Sequence, residues 1–239
     1  MLVNEGKGQQ SMSTKKNLPV IGVLGGTGKE GGGLAFRWAH RGYPVFLGSR
    51  SAEKAIEAAA AMNKELGIDR VRGGSNREAA AAAEIAVLSV PYAAQRTTIM
   101  EVQDALKGKI LVDVTVPLMP PKVNRVQLPD NGSAVEAIQK LLGADVHVVS
   151  AFQNVSAHHL KDLSHVTECD VLVCSDDPVA SDEVIKLVHA VGLRGWNGGV
   201  LANSIVAEGL TSVLIALNQR YKVPSAGIRI TGIPDAKVM

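Results

Sequence analysis

From Pro19 onward, short aliphatic runs alternate along the chain with longer stretches of helix-forming composition. "VIGVLG" (20–25), "PVFLGS" (44–49), "EIAVLSV" (84–90), "KILVDV" (109–114) and "DVHVVSA" (145–151) show apolar residues at successive positions, which predicts strands buried on both faces. "DRVRGG" (69–74) is a weaker strand. Between them lie "GGLAFRWAHRG", "SAEKAIEAAAAMNKELG", "NREAAAAA" and "AAQRTTIMEVQDALKG", helix-like and in several cases stopped by glycine. This alternation predicts an α/β fold: a Rossmann-type doubly wound parallel sheet with right-handed crossovers. Ligand loops then collect at the C-terminal ends of the strands.

The proline-bearing segment 115–133 is expected to be a loop, after which Ser133 and Glu136 form a capping box for "AVEAIQKLLG". Beyond residue 151 the pattern predicts a strand in "ECDVLVCSDD" and a helix capped by Asp177 with Pro178 at its first position. A short strand near "LRGW" and a final helix, "NSIVAEGLTSVLIALNQRY", follow. That helix is apolar over more than one face, so it is expected to pack against a small C-terminal lobe or a second subunit. The expected organisation is a disordered extension (1–18), a Rossmann domain (19–151) and a small α/β C-terminal lobe (152–239).

Composition narrows the function classes. The 239 residues are 46% hydrophobic and 20% charged, ordinary for a globular chain, and the net charge of +2 implies no polyanionic partner. With 3% aromatic residues and no basic stripe, nucleic-acid recognition is not expected. No apolar run approaches the roughly 20 residues that cross a bilayer. No secretory h-region stands at the N-terminus either, so no membrane partner and a cytoplasmic location are expected. Cys169 and Cys174, five apart on a strand, should point to opposite faces and remain buried free thiols. Neighbouring His158 and His159 diverge too widely on a helix to share a metal, so no metal site is expected there or at His165. His40, His147 and His189 stand alone.

Gly26-Thr27-Gly28-Lys29-Glu30-Gly31 matches G-x-G-x-x-G between a predicted strand and helix. Its first glycine is expected to make the tight turn, its second to admit a pyrophosphate and its third to let helix and strand pack closely. Lys29 adds charge nearby. Specificity is read at the end of the second strand, where an NAD site carries an acid. Here the strand ends in Ser49 and Arg50, with Lys54 one turn on; these cations and the hydroxyl suit a 2′-phosphate, and the expected cofactor is NADP. Val90, Pro91 and Tyr92, with Val116 opposite, are apolar walls for the nicotinamide half. They supply neither acid nor base, as an alcohol dehydrogenase would require.

"GVLGGTGKEGGGLAFRWAHRGYPVFLGSRSAEKA" resembles the NADP-binding segment of the coenzyme F420-dependent NADP oxidoreductases. "EIAVLSVP", "VVSAFQNVSAHHL", "CSDD" and "LANSIVAEGLT" follow in that family's order, and the resemblance spans about residues 19–230. It implies reversible hydride transfer between reduced F420, a deazaflavin, and NADP, in a homodimer. It carries NADP contacts onto Thr27, Gly28, Ser49, Arg50 and Lys54, and a nicotinamide lining onto Tyr92, Arg96, Val116 and Ala157. It puts the deazaflavin beside Gln153, Asn154, Val155 and Ala157, with the turn Leu201–Ser204 at the ring edge. Archaeal members of the family carry histidine and proline where this chain has Gln153 and Ser156, and asparagine in place of Lys29. Both substrates bring their own redox chemistry, so no catalytic side chain is expected. Two other readings share the nucleotide loop: an NADP-dependent imine or hydroxyacid reductase, and an NADP-sensing binding protein.

Overall fold

The computed structural model describes residues 18–130 and 132–234; most of the expected N-terminal extension lies outside the described residues. Six parallel strands form one sheet in the order β3-β2-β1-β4-β5-β6: β1 (Ile21–Leu24), β2 (Val45–Ser49), β3 (Val71–Ser75), β4 (Ile85–Leu88), β5 (Ile110–Asp113) and β6 (His147–Ser150). The register is even across the centre, where Ile21 of β1 stands between Val45 of β2 and Ile85 of β4. The order reverses between β1 and β4. A doubly wound sheet opens its ligand crevice at that point, outside the C-terminal strand ends.

The crossovers are α1 (Lys29–His40), α2 (Ala52–Leu66), α3 (Asn76–Ala82), α4 (Tyr92–Val102) and α5 (Ala134–Leu142). Their starts are locally encoded. Ser75 with Glu78, and Ser133 with Glu136, close capping boxes, while Ser51 accepts from the Lys54 amide to cap α2. One core, containing Trp38, Leu34, Leu47 and Val87, fills one face of the sheet; another, containing Leu88, Ile99, Leu111 and Val135, fills the other.

The chain continues through a 3-10 turn (Ala157–His159) to β7 (Asp170–Val173), α6 (Pro178–Ala190), β8 (Arg194–Asn197), a second turn (Leu201–Asn203) and α7 (Ser204–Tyr221). β7 and β8 form a parallel pair joined to the large sheet by an antiparallel bridge from Ser150 to Cys174. Val171, Val184 and Leu187 belong to the same core cluster as Trp38, so the apolar interior runs without a break into this part. Cys169 and Cys174 flank β7 as buried free thiols, and burial pushes both above the ordinary thiol range. Arg194 and Trp196 of β8 and the Ile230 amide all donate to the buried Asp170 carboxylate, fastening the C-terminal segment to β7.

Residues Leu201–Tyr221 are the one helical stretch among the described residues that is both long and apolar. By length and composition this helix with its preceding turn could cross a bilayer, at a mean hydropathy of 1.4, although serine, asparagine and glutamate interrupt every apolar run in it. Here it packs on α5, burying Ala207 and Leu214, and its Glu208 carboxylate accepts from the Ala134 and Val135 amides at the start of α5. Outward it presents Val206, Val213, Leu217 and Tyr221, one exposed apolar row at helical spacing.

Candidate functional site

The turn out of β1 is made by Gly25, whose φ of 77° lies in the left-handed region. A Cβ there would also stand 2.6 Å from the Ser89 carbonyl oxygen. The tight turn therefore falls one residue before Gly26, the position to which the motif assigns it. The Gly25 amide donates to Oδ1 of Asn76, a buried residue at the start of α3 that holds the turn from outside the motif. Gly28 is the N-cap of α1, and a Cβ there would meet only the Gly25 carbonyl oxygen, at 3.3 Å. The open space above it, at a helix start with unpaired amides, fits a pyrophosphate. Gly31 is the close-packing position, since its Cβ would strike Ser89 Oγ at 2.4 Å. Thr27 and Lys29 are exposed on this loop. Glu30 is half-buried in the first turn of α1, and burial pushes its carboxyl up to about 8. It is thus largely neutral near pH 7, where an ionised carboxylate would repel phosphate.

At the end of β2, Ser49 Oγ accepts from the Ser51 amide, and Arg50 and Lys54 extend into solvent. The nearby acid, Glu53, accepts from Ser51 Oγ at 2.9 Å and is held below the ordinary carboxylate range by its own amide and that hydroxyl. The described residues show no ion pair between Glu53 and either cation. Two positive groups and a hydroxyl remain grouped beside the glycine loop.

Val90, Pro91 and Tyr92 lead from β4 into α4, with Arg96 exposed one turn later and Val116 following β5. Beneath them lies a buried polar set that pattern reading missed. Asp113 is fully buried at the end of β5 and accepts from Gln95 Nε2 at 2.7 Å and from the Thr115 amide at 2.9 Å. Burial outweighs these bonds and pushes its carboxyl up to about 6; the same cause takes Glu208 to about 7. Gln153, which follows β6, donates from Nε2 to the Asp113 carbonyl oxygen at 2.7 Å. Its Oε1 and the Thr115 Oγ1 are buried without partners among the described residues, and buried oxygens of that kind commonly meet a water or ligand. Strand ends alone do not disclose such a set, because its members come from three separate segments.

The remaining expected residues divide. Val155 is buried and Ala157 half-buried on the segment passing α1. Asn154 is committed inward, donating to the Asp170 carbonyl oxygen and to Cys169 Sγ. Leu201 is buried in the core and Ser204 Oγ lies 2.6 Å from Ser133 Oγ. Leu201 and Ser204 are thus engaged within the protein, while Asn154 keeps its Oδ1 buried without a partner among the described residues. The histidines also come closer than their spacing suggests. His159 and His165 stack at 3.8 Å, and His159 is held below the ordinary imidazole range by burial and by its neighbours His165 and His158.

Residues 20–117 match the family described as NADP oxidoreductase, coenzyme F420-dependent. The chain is 41% identical over 222 residues to an F420-dependent NADP reductase of Methanothermobacter marburgensis, covering 90% of this chain and 99% of that one. It is 41% identical over 221 residues to the protein of the same name from Methanocaldococcus jannaschii, covering 89% and 98%. Among solved structures, a putative F420-dependent NADP reductase from an Arthrobacter species superimposes with a TM-score of 0.75 at 26% identity, covering 89% of this chain and 99% of that one. With a dinucleotide loop, a basic second-strand end and this degree of identity over nearly the whole length, the chain belongs to the F420-dependent NADP reductase family.

Proposed function

We propose that the protein transfers hydride reversibly between reduced coenzyme F420 and NADP. The observation that carries the reading is the free Arg50 and Lys54 pair beside Ser49, adjoining the open Gly28 cradle. The α1 amides take the pyrophosphate, and Arg50, Lys54 and Ser49 take the 2′-phosphate. Tyr92, Arg96, Val116 and Ala157 line the nicotinamide. The deazaflavin lies against the segment Gln153–Ala157, and the free oxygens of Gln153 and Thr115 accept ring or carboxamide N–H groups. The two substrates supply the redox chemistry. The protein holds their rings in register and keeps water out, which is where the rate gain arises.

We also infer a cytoplasmic homodimer. The two buried free thiols suit a reducing compartment, and the apolar row on α7 suits a second copy. The lobe from residue 152 onward then contributes both the deazaflavin wall and the subunit contact.

Mixing the protein with reduced F420 and NADP under anaerobic conditions tests the reading. Oxidised deazaflavin absorbance should return in step with NADPH formation. Turnover of an imine or hydroxyacid with none of F420 would replace it by the reductase reading. Nucleotide binding with no turnover of any of these would favour a sensing protein.

A further inference from the structure

Beyond the 3-10 turn at Ala157–His159 the chain wraps around a single side chain. Arg37 of α1 donates from Nη2 to the carbonyl oxygens of His159 (3.2 Å), Asp162 (2.8 Å) and His165 (3.3 Å), and from Nε to that of Leu160 (2.7 Å). Carbonyls three residues apart converge on one guanidinium, and the side chains of the same three residues converge as well. Their imidazole nitrogens and carboxylate oxygens come within 4.8 Å of one another. Asp162 is oriented in turn, its Oδ1 accepting from the Ser164 amide at 3.0 Å and from Ser164 Oγ at 2.6 Å.

We propose that His159, Asp162 and His165 form a site for one divalent cation of the zinc, cobalt and nickel class. Two imidazoles and one carboxylate suit these borderline ions better than calcium or magnesium, which prefer oxygen sets, or copper(I), which prefers sulfur. Three protein ligands leave a position for water. Bonds of about 2.0–2.2 Å require the donors to draw in from their present spacing. The stacked rings do so by turning about Cβ–Cγ while Arg37 holds the backbone. His158, edge-on to His159 at 4.6 Å and exposed, is outside the ligand set.

A cation here closes the segment lying against the nucleotide end of α1. Leu160 sits so close over Gly33 that a Cβ at Gly33 would stand 2.5 Å from the Leu160 Cβ. Lys161 lines one small cavity with Gly26, Thr27 and Gly28. The cation is therefore a structural clasp, and heat stability reports its presence.

The test uses the full chain without a histidine tag, stripped with chelator, equilibrated with zinc chloride and freed of excess. Metal content is measured by mass spectrometry, and cobalt(II) substitution is followed in the visible spectrum. One zinc per chain, a raised Tm and a cobalt spectrum of nitrogen and oxygen ligation are expected. His159→Ala and His165→Ala should lose all three and match chelated wild type in Tm. Asp162→Asn, at an exposed position, should bind more weakly. His158→Ala and His147→Ala should behave as wild type. Less than half an equivalent in wild type, retention in both His159→Ala and His165→Ala, or loss in His158→Ala or His147→Ala overturns the proposal.

Discussion

At the residue scale, the 2′-phosphate role proposed for Arg50 is the first to test. Arg50→Ala should weaken NADP by about 1.5–3 kcal/mol through the loss of charge-assisted hydrogen bonding, and leave NAD almost unaffected. Parallel titrations with both nucleotides check this; equal losses would remove the 2′-phosphate role. Gly28→Val should abolish binding of either nucleotide, because the new side chain occupies the open space over the start of α1, while the melting temperature changes little. Retained NADP affinity would show that the loop has another purpose. The strand ends and their cations were legible in the sequence because each belongs to one short stretch. Asn76, Asp113 and the free Gln153 oxygen were not, because their meaning depends on partners dozens of residues away.

Arg37 and Glu208 show what single side chains do between elements. Arg37 makes five hydrogen bonds, four to the 159–165 segment and one to the Val191 carbonyl, tying α1 to the loop beneath it and to the end of α6. Arg37→Met should cost roughly 2–4 kcal/mol, lowering Tm by on the order of 5–15 °C in calorimetry. A shift under two degrees would mean the loop is held by its other contacts. Glu208 is a buried acid whose carboxyl rises from 4.5 to about 7 on folding. The folded chain holds that proton longer than the unfolded one, so its contribution is fully present below pH 4.5 and is lost as pH rises to about 7. In urea titrations Glu208→Gln should flatten the decline in stability across that interval; an unchanged slope would assign the decline elsewhere. The helix boundaries themselves were readable, since serine caps and capping boxes are local signals. The 159–165 cluster was hidden because residues six apart converge only when the backbone is wound around a distant arginine.

For the whole molecule, the α/β class and the sheet followed from uninterrupted apolar runs separated by helix-length spacers, a rhythm few other folds share. What α7 does was less readable. Its composition shows an excess of apolar surface, but only the packed structure separates the face spent on α5 from the row Val206, Val213, Leu217 and Tyr221. Val213→Asp combined with Leu217→Asp should convert a dimer to monomer in sedimentation velocity while leaving far-ultraviolet dichroism intact. A species already monomeric in the unmutated protein would send that surface to a different partner.

The bond from the Gly25 amide to Asn76 spans 51 positions of sequence. The glycine loop is thus not a self-sufficient motif but a tertiary product, completed only when α3 docks against β1 and β2. A fragment ending before residue 76 would contain every glycine of the motif and still lack the side chain that holds the turn. During synthesis, competence to bind dinucleotide should arrive abruptly with that docking, and ligand protection should appear only in chains long enough to include Asn76.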